Sequence, residues 1–319
     1  MKKIFISGKI PQIAYETLSK DFDVTMHNDI TLLSKDEIIK GIEGKDALLC
    51  LLSDKIDKEI IESNPNLKII ANYGAGFDNI DIKTASEYNI PVTNTPAVST
   101  VSTAELTLGL MIGIARRMVE GDKIMRAGEF SGWAPLYQLG TELSGKTLGI
   151  IGMGNIGRAV AKRAKAFDMN IIYNNRNQLS SEIEAELGLT YVTQEEVIAN
   201  SDFLSLHVSY SPALHHLINE DTLKKMKPTA YLINAARGPV IDEKALLKAL
   251  QDKTIKAAAL DVYEFEPAIT EGLEKLDNLI LTPHIGNATE EARSAMALIA
   301  ANNIIDVFNG LNPRNQVNK

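Results

Sequence analysis

The sequence predicts an α/β protein made of two domains, each a parallel sheet covered by helices. Three observations lead there. Short apolar runs alternate with amphipathic segments along most of the chain, which is the pattern of βαβ units. The alternation comes as two series, with one long helical stretch between them. The 319 residues are also many for a single core and suit two domains of ordinary size.

In the first series KIFIS (3–7), DVTMH (23–27), ALLCLL (47–52), LKIIAN (67–72) and IPVTN (90–94) read as strands. KDEIIKGIEG and DKEIIESN, lying between them, carry helical spacing. One helix is then expected from Thr103 to Arg126, capped at or beside Ser102, with Glu105 in its first turn. FSGWAPLYQLG comes next, irregular and holding the only Trp. The second series runs TLGIIG (147–152), NIIYN (170–174), FLSLHV (203–208), AYLINA (230–235), AAALDV (257–262) and LILTP (279–283). Six such runs separated by helical segments describe a doubly wound sheet of Rossmann type. A last helix is expected from Thr289 to Asn309, and NPRNQVNK is expected to be a loose tail.

Composition narrows the function. With 45% apolar and 23% charged residues the chain reads as soluble and globular. A net charge of −8 argues against a nucleic-acid partner, which needs a basic face. The one cysteine, Cys50, excludes an internal disulfide and reads as a buried apolar residue. MKKIFISGKIPQ holds too short an apolar run for a signal peptide, and no run reaches eighteen apolar residues. A cytoplasmic protein with no membrane partner is expected.

GMGNIG (152–157) lies between a strand, TLGIIG, and a helix, RAVAKRAKAF. In that context each glycine has a task. Gly152 permits the tight turn, Gly154 lets a pyrophosphate approach, and Gly157 lets helix and strand pack. Asn155 and Ile156 complete the turn, where helix N–H groups face the phosphates. A dinucleotide-binding strand usually ends on an acid that holds the ribose hydroxyls. Here Asn175 stands in that place, with Arg176 after it. Asn175 can hydrogen-bond but cannot repel a 2′-phosphate, and Arg176 offers a fork suited to one. NADP(H) is therefore the preferred cofactor, with NAD(H) able to bind.

Three strand ends hold residues fit for acid–base or anion chemistry. They are Arg237 in INAARGPV, then Asp261, Glu264 and Glu266 in LDVYEFEP, then His284 in LTPHIGNAT. Spacing alone leaves each of them as readily structural as catalytic.

The order GMGNIG, INAARGPV, DVYEFEP, TPHIGNAT, preceded by NYGAGFDNID (72–81), resembles the D-isomer-specific 2-hydroxyacid dehydrogenase family along the whole chain. LLSDKIDKEII (51–61) and SGWAPLY (131–137) are most similar to its glyoxylate/hydroxypyruvate reductase branch. The resemblance implies two Rossmann-like or flavodoxin-like domains with a cleft between them. Residues 1–99 and 287–319 would form the substrate domain, and 100–286 the dinucleotide domain.

It also implies roles. His284 is the acid/base, and Glu266 orients it and favours its imidazolium form. Arg237 grips the substrate carboxylate and polarises the carbonyl. Ala75 and Gly76 offer backbone N–H groups to that carboxylate, while Leu52, Ser53 and the stretch Trp133 to Tyr137 set pocket size. Asp261 faces the nicotinamide carboxamide; Ser209, Ala235, Thr103 and Gly286 join the cofactor-binding set. Glu264 is left as a structural carboxylate. A metal at His215-His216 is not expected, because adjacent histidines do not easily share an ion.

The chain departs from the family at Ser209-Tyr210-Ser211, where Pro-Leu-Thr is common, and at Leu214, where Thr is. The implied reaction reduces glyoxylate or hydroxypyruvate with NADPH to the D-2-hydroxy acid. The alternatives are a reductase of bulkier 2-oxo acids, such as phenylpyruvate or branched-chain ones, and a nucleotide-sensing, corepressor-like binding protein. A homodimer formed through Val101 to Gly140 is expected.

Overall fold

The computed structural model describes residues 1–318. They form two compact units: Met1–Ser99 with the segment from Ala288 onward, and Thr100–Asn287.

The first unit holds β1 (Lys3–Ile6), α1 (Gln12–Leu18), β2 (Asp23–Met26), α2 (Lys35–Ile42), β3 (Ala47–Leu51), α3 (Lys58–Ser63), β4 (Ile69–Tyr73), α4 (Ile82–Glu87) and β5 (Val92–Thr93). The last helix of the chain, α12 (Glu290–Phe308), belongs to it as well. The five strands are parallel, in the order β2-β1-β3-β4-β5. Side chains alternate between two buried faces. Ile4, Ile6, Leu49 and Ala71 pack with Met296 and Ile304 of α12, while Phe5, Leu48, Cys50 and Ile70 pack with Ile38 of α2 and Ile60 of α3. Burial on both faces explains why ALLCLL is apolar without interruption. Helix starts obey their caps: Ser34 and Glu37 form a capping box on α2, and Asp57 and Asp81 cap α3 and α4.

The tail is not loose. Val317 N–H donates to the Val92 carbonyl at 2.9 Å, and Gln316 pairs with Thr93 as an antiparallel bridge. Asn318 is buried, accepting from Val92 N–H at 2.7 Å and donating to the Ile90 carbonyl at 2.8 Å. The tail thus satisfies the open edge of β5, which would otherwise present unpaired backbone groups.

The second unit begins with α5 (Thr100–Ala115) and α6 (Met118–Ala127). Then come β6 (Thr147–Ile151), α7 (Asn155–Lys165), β7 (Asn170–Asn174), α8 (Ser181–Leu187), β8 (Leu189–Tyr191), α9 (Gln194–Asn200), β9 (Phe203–Leu206), α10 (Glu220–Lys225), β10 (Tyr231–Asn234), α11 (Glu243–Gln251), β11 (Ala257–Leu260) and β12 (Leu279–Leu281). Seven parallel strands lie in the order β12-β11-β10-β9-β6-β7-β8. The six expected strands are all present. The seventh, β8, is a three-residue edge strand too short to show a pattern. Chain direction across the sheet reverses between β6 and β9, the switch point at which such sheets bind ligands.

The single helix expected from Thr103 to Arg126 is two. α5 starts at Thr100, so Ser102 lies inside it and is buried, and Glu105 is beyond the first turn. Arg117 adopts a left-handed φ of 53° between α5 and α6. Its guanidinium holds both oxygens of Glu120, at 2.8 and 2.5 Å, which fixes the break. Among the described residues no helix is long and apolar enough to cross a membrane.

Candidate active site

The glycine turn stands at the switch point because only glycine fits there. Gly152 has a φ of 97°, and a Cβ on it would lie 2.5 Å from the His207 carbonyl oxygen at the end of β9. A Cβ on Gly157 would lie 2.3 Å from the Gly152 carbonyl, so α7 and β6 approach as closely as expected. Gly154 differs: a Cβ there would meet no protein atom within 4 Å. No protein neighbour excludes a side chain there, and its bareness suits a ligand's approach. α7 carries no side-chain cap, which leaves first-turn N–H groups for an anion. These features fit the pyrophosphate of a dinucleotide.

Asn175 is joined to this turn. Its Oδ1 accepts from Met153 N–H at 3.2 Å, and its Nδ2 donates to the Asn177 carbonyl at 3.0 Å. Arg176, next to it, is exposed. A second cation, not anticipated from sequence, also borders the turn. Arg158 donates to Asn155 Oδ1 at 2.9 Å from the first turn of α7. Its signal was available, since it stands directly after the last glycine. Beneath the turn, burial pushes the His207 imidazole down to about 4, so it is neutral, bonded to Ser205 at 2.8 Å. Ser209, two residues on, is exposed, and Ala235 is buried directly after the end of β10.

The strand ends that carry the acid–base candidates do converge. His284 Nδ1 lies 2.9 Å from Glu266 Oε2, and Glu266 Oε1 accepts from Tyr263 N–H at 2.9 Å. Burial raises the Glu266 carboxyl, but the bond to His284, its charge, the Tyr263 N–H and the charge of Arg237 outweigh that and hold it below the ordinary range. Glu266 is therefore a carboxylate at neutral pH. With Nδ1 turned to Glu266, the imidazole keeps Nε2 for a substrate.

Asp261 builds the frame. Only 1% exposed, its carboxylate accepts from Thr282 Oγ1 at 2.6 Å and from the N–H groups of Ile285 and Gly286, both at 2.8 Å. These bonds bracket His284, whose φ of 52° is left-handed. Thr103 Oγ1 on α5 donates to the Gly286 carbonyl at 3.1 Å, so two residues assigned together from sequence do touch.

Arg237 begins a tight turn, Gly238–Val240, directly after β10. A Cβ on Gly238 would overlap the Tyr263 carbonyl at 1.8 Å, so the glycine lets the Arg237 turn lie against the segment leading to Glu266. Asn234 shapes this turn and was missed from sequence. Fully buried, it accepts from Ala236 N–H and donates to the Arg237 carbonyl, each at 3.0 Å. A polar residue closing an apolar strand was the available clue.

In the first unit the loop after β4 has fixed peptide planes. The carbonyls of Gly74, Ala75 and Gly76 accept from Thr95 N–H at 2.9 Å, Asn94 Nδ2 at 2.7 Å and Asn72 Nδ2 at 2.7 Å. In a trans peptide the next N–H points the opposite way, so the Ala75 and Gly76 N–H groups face away from Thr95 and Asn94. Leu52 packs on Gly74, and Ser53 is exposed beside it in sequence. Asp54 ties their turn down through Leu51 N–H at 2.8 Å and through Ser7.

Comparison with known proteins identifies the family. The family model for the NAD binding domain of D-isomer specific 2-hydroxyacid dehydrogenases matches residues 108–286. A Staphylococcus haemolyticus protein provisionally named a 2-hydroxyacid dehydrogenase is 54% identical over all 319 residues, the full length of both chains. A glyoxylate reductase from Paecilomyes thermophila superposes with a TM-score of 0.87 at 35% identity, over 99% of this chain and 98% of that one. The NADPH-dependent glyoxylate/hydroxypyruvate reductase of Sinorhizobium meliloti, solved with NADP and malonate, gives 0.88 at 31% identity, over 99% and 96%. The chain belongs to the D-isomer-specific 2-hydroxyacid dehydrogenase family, a family of NAD(P)-dependent oxidoreductases.

Proposed function

We propose that this enzyme reduces a small 2-oxo acid, glyoxylate or hydroxypyruvate, to the D-2-hydroxy acid and prefers NADPH to NADH. The observation that carries the reading is the Glu266–His284 pair, 2.9 Å apart, next to the Arg237 turn. Arg237 binds the substrate carboxylate and draws electron density from the neighbouring carbonyl. In the first unit the Ala75 and Gly76 N–H groups are the candidates for binding a carboxylate, with Leu52 and Ser53 as the candidates for limiting the size of a side group. His284 gives its Nε2 proton to the carbonyl oxygen as the carbon is reduced, and Glu266 stabilises the imidazolium before that transfer. A nicotinamide cofactor, when bound, would supply the hydride. The proton that His284 gives up is replaced from solvent, which restores the acid.

The cofactor is held by Gly152, Gly154, Asn155, Ile156 and Gly157 at its phosphates. Ser209, Ala235, Asp261, Thr103 and Gly286 would line its other half. Arg176 receives the 2′-phosphate, and no carboxylate at residue 175 repels it. Two solved relatives support the substrate class, one being a glyoxylate reductase and the other an NADPH-dependent glyoxylate/hydroxypyruvate reductase. The working form is a cytoplasmic homodimer, a reading supported by apolar side chains left open on α6 and the segment after it.

Initial rates test the reading, with glyoxylate and hydroxypyruvate against phenylpyruvate and NADPH against NADH. Faster turnover of the two small acids with NADPH is expected. Faster phenylpyruvate reduction would overturn the substrate, and equal use of NADH would overturn the cofactor preference.

A further inference from the structure

His215 and His216 come after a short turn, Pro212–Leu214, on the segment beyond β9. In extended chain, successive side chains point apart. Here His216 has a left-handed φ of 53°, and the two imidazoles stack with centroids 3.9 Å apart at 20°. Glu264, distant in sequence, brings Oε1 to 2.7 Å from His216 Nε2. One ring nitrogen of each histidine and a carboxylate oxygen of Glu264 all lie within 4.8 Å of one another. Donors bonded to a tetrahedral zinc at about 2.1 Å sit roughly 3.4 Å apart; the in-plane lone pairs of the stacked rings would converge on one ion once the exposed His215 ring turns about its side-chain bonds.

The backbone beneath these donors is fixed. His216 N–H donates to the Pro239 carbonyl at 2.9 Å, and its own carbonyl accepts from Asn219 Nδ2 at 3.1 Å. Glu264 N–H donates to the buried Glu243 carboxylate at 2.7 Å. Partners also stand behind the rings. Asp242 Oδ2 is 3.9 Å from His216 Nδ1, and the Tyr210 hydroxyl is 3.5 Å from His215 Nδ1. Metal-bound imidazoles commonly turn the second nitrogen to such groups, which fixes the tautomer and leaves Nε2 as ligand.

The geometry points to a binding site for a divalent transition-metal ion, zinc by donor chemistry, held by His215, His216 and Glu264 and oriented by Asp242 and Tyr210. Two imidazoles and a carboxylate suit zinc, whereas magnesium and calcium favour oxygen ligands throughout. On entry of the ion, the proton shared by His216 and Glu264 leaves to solvent, and a fourth position stays open to water. The site clips the segment after β9 to the segment after β11. It is independent of the proposed reaction, since none of these residues takes part in it.

The test uses full-length protein freed of metal by a chelator and titrated with zinc chloride against a chromophoric chelator, with magnesium chloride as control. One zinc ion per chain is expected, unaffected by excess magnesium. Affinity should fall at least about tenfold in His215→Ala and in Glu264→Gln. His216→Asn should abolish binding while tolerating the left-handed backbone. His215 is exposed, so His215→Ala should melt like the wild type without zinc, and at a given zinc concentration the melting temperature should rise more in the wild type than in His215→Ala. No zinc uptake by the wild type, or uptake unchanged in all three variants, would overturn the site.

Discussion

Asn175 Oδ1 accepts a hydrogen bond from the N–H of Met153, 3.2 Å away, so the residue proposed to meet the ribose is fastened to the glycine turn. One amide thus links the end of β7 to the loop between β6 and α7. Arg176, directly after it, is exposed and carries the charge. An Asp at 175 would accept the same N–H and add a negative charge beside the ribose.

Cofactor choice should depend on this pair. Arg176→Ala should raise the KM for NADPH about tenfold, or about 1.4 kcal/mol, and leave that for NADH nearly unchanged. Asn175→Asp should move preference the other way, toward NADH. Steady-state kinetics with both cofactors measure this. An NADPH KM unmoved by Arg176→Ala would transfer the phosphate-binding role to another cation, for which Arg158, bonded to Asn155 in the turn, is a candidate.

The Glu266–His284 pair makes a prediction in rate and in pH. His284→Ala should lower kcat by about 10²–10⁴, the usual contribution of a general acid. The Glu266 carboxyl, though raised by burial, is held below its ordinary value by the bond to His284 and that ring's charge. A depressed carboxyl stabilises the fold above the unfolded value and loses that contribution as pH falls through the lower folded value. The pair should therefore persist through neutral and mildly acidic pH and fail only below the usual carboxylate range. Glu266→Gln should remove this acid-side transition from the unfolding profile and slow reduction, with substrate KM little changed. A variant profile that keeps the transition would assign it to another group.

The sequence made the sheets legible because a parallel strand buried on both faces is an apolar run, as in ALLCLL and AYLINA. It hid the break at Arg117, which is made by a left-handed arginine and its Glu120 partner with no glycine or proline to mark it. It hid the docked tail too, since Asn318 gains its partners from Ile90 and Val92 across more than two hundred residues. In the site, the named side chains at strand ends were readable by type and order. Their supports were not. Nothing in the spelling of Asp261 announces three bonds around His284, and nothing near Glu264 announces His216.

Glu243 is one such support. It is 1% exposed at the start of α11, and its carboxylate accepts from Glu264 N–H at 2.7 Å and from Thr270 N–H at 2.9 Å. Those two residues bracket Glu266, so this carboxylate clamps the loop that aims the dyad. Glu243→Ala leaves two N–H groups without their charged acceptor and should destabilise the protein by about 3 kcal/mol in denaturant titration. Glu243→Gln keeps one acceptor and should lose about half as much. Both variants should lower kcat more than they change KM. Full stability in Glu243→Ala would mean the loop is held by other contacts.

Oligomeric state depends on a different surface. After the break at Arg117, α6 and the segment beyond it leave Trp133 83%, Leu136 82%, Met125 61%, Met118 58% and Leu139 58% exposed. Single exposed apolar residues are ordinary, but this many on one stretch is what the proposed dimer would need a second chain to cover. Charged pairs accompany the two methionines on α6, Arg117 with Glu120 and Arg126 with Asp122, while Trp133, Leu136 and Leu139 follow beyond that helix. Sedimentation at micromolar concentration should therefore show a dimer. Trp133→Glu combined with Leu136→Glu should dissociate it without unfolding the monomer's core, because neither side chain is packed inside it. A wild-type monomer under those conditions would leave the apolar stretch to a different partner and refute the dimer.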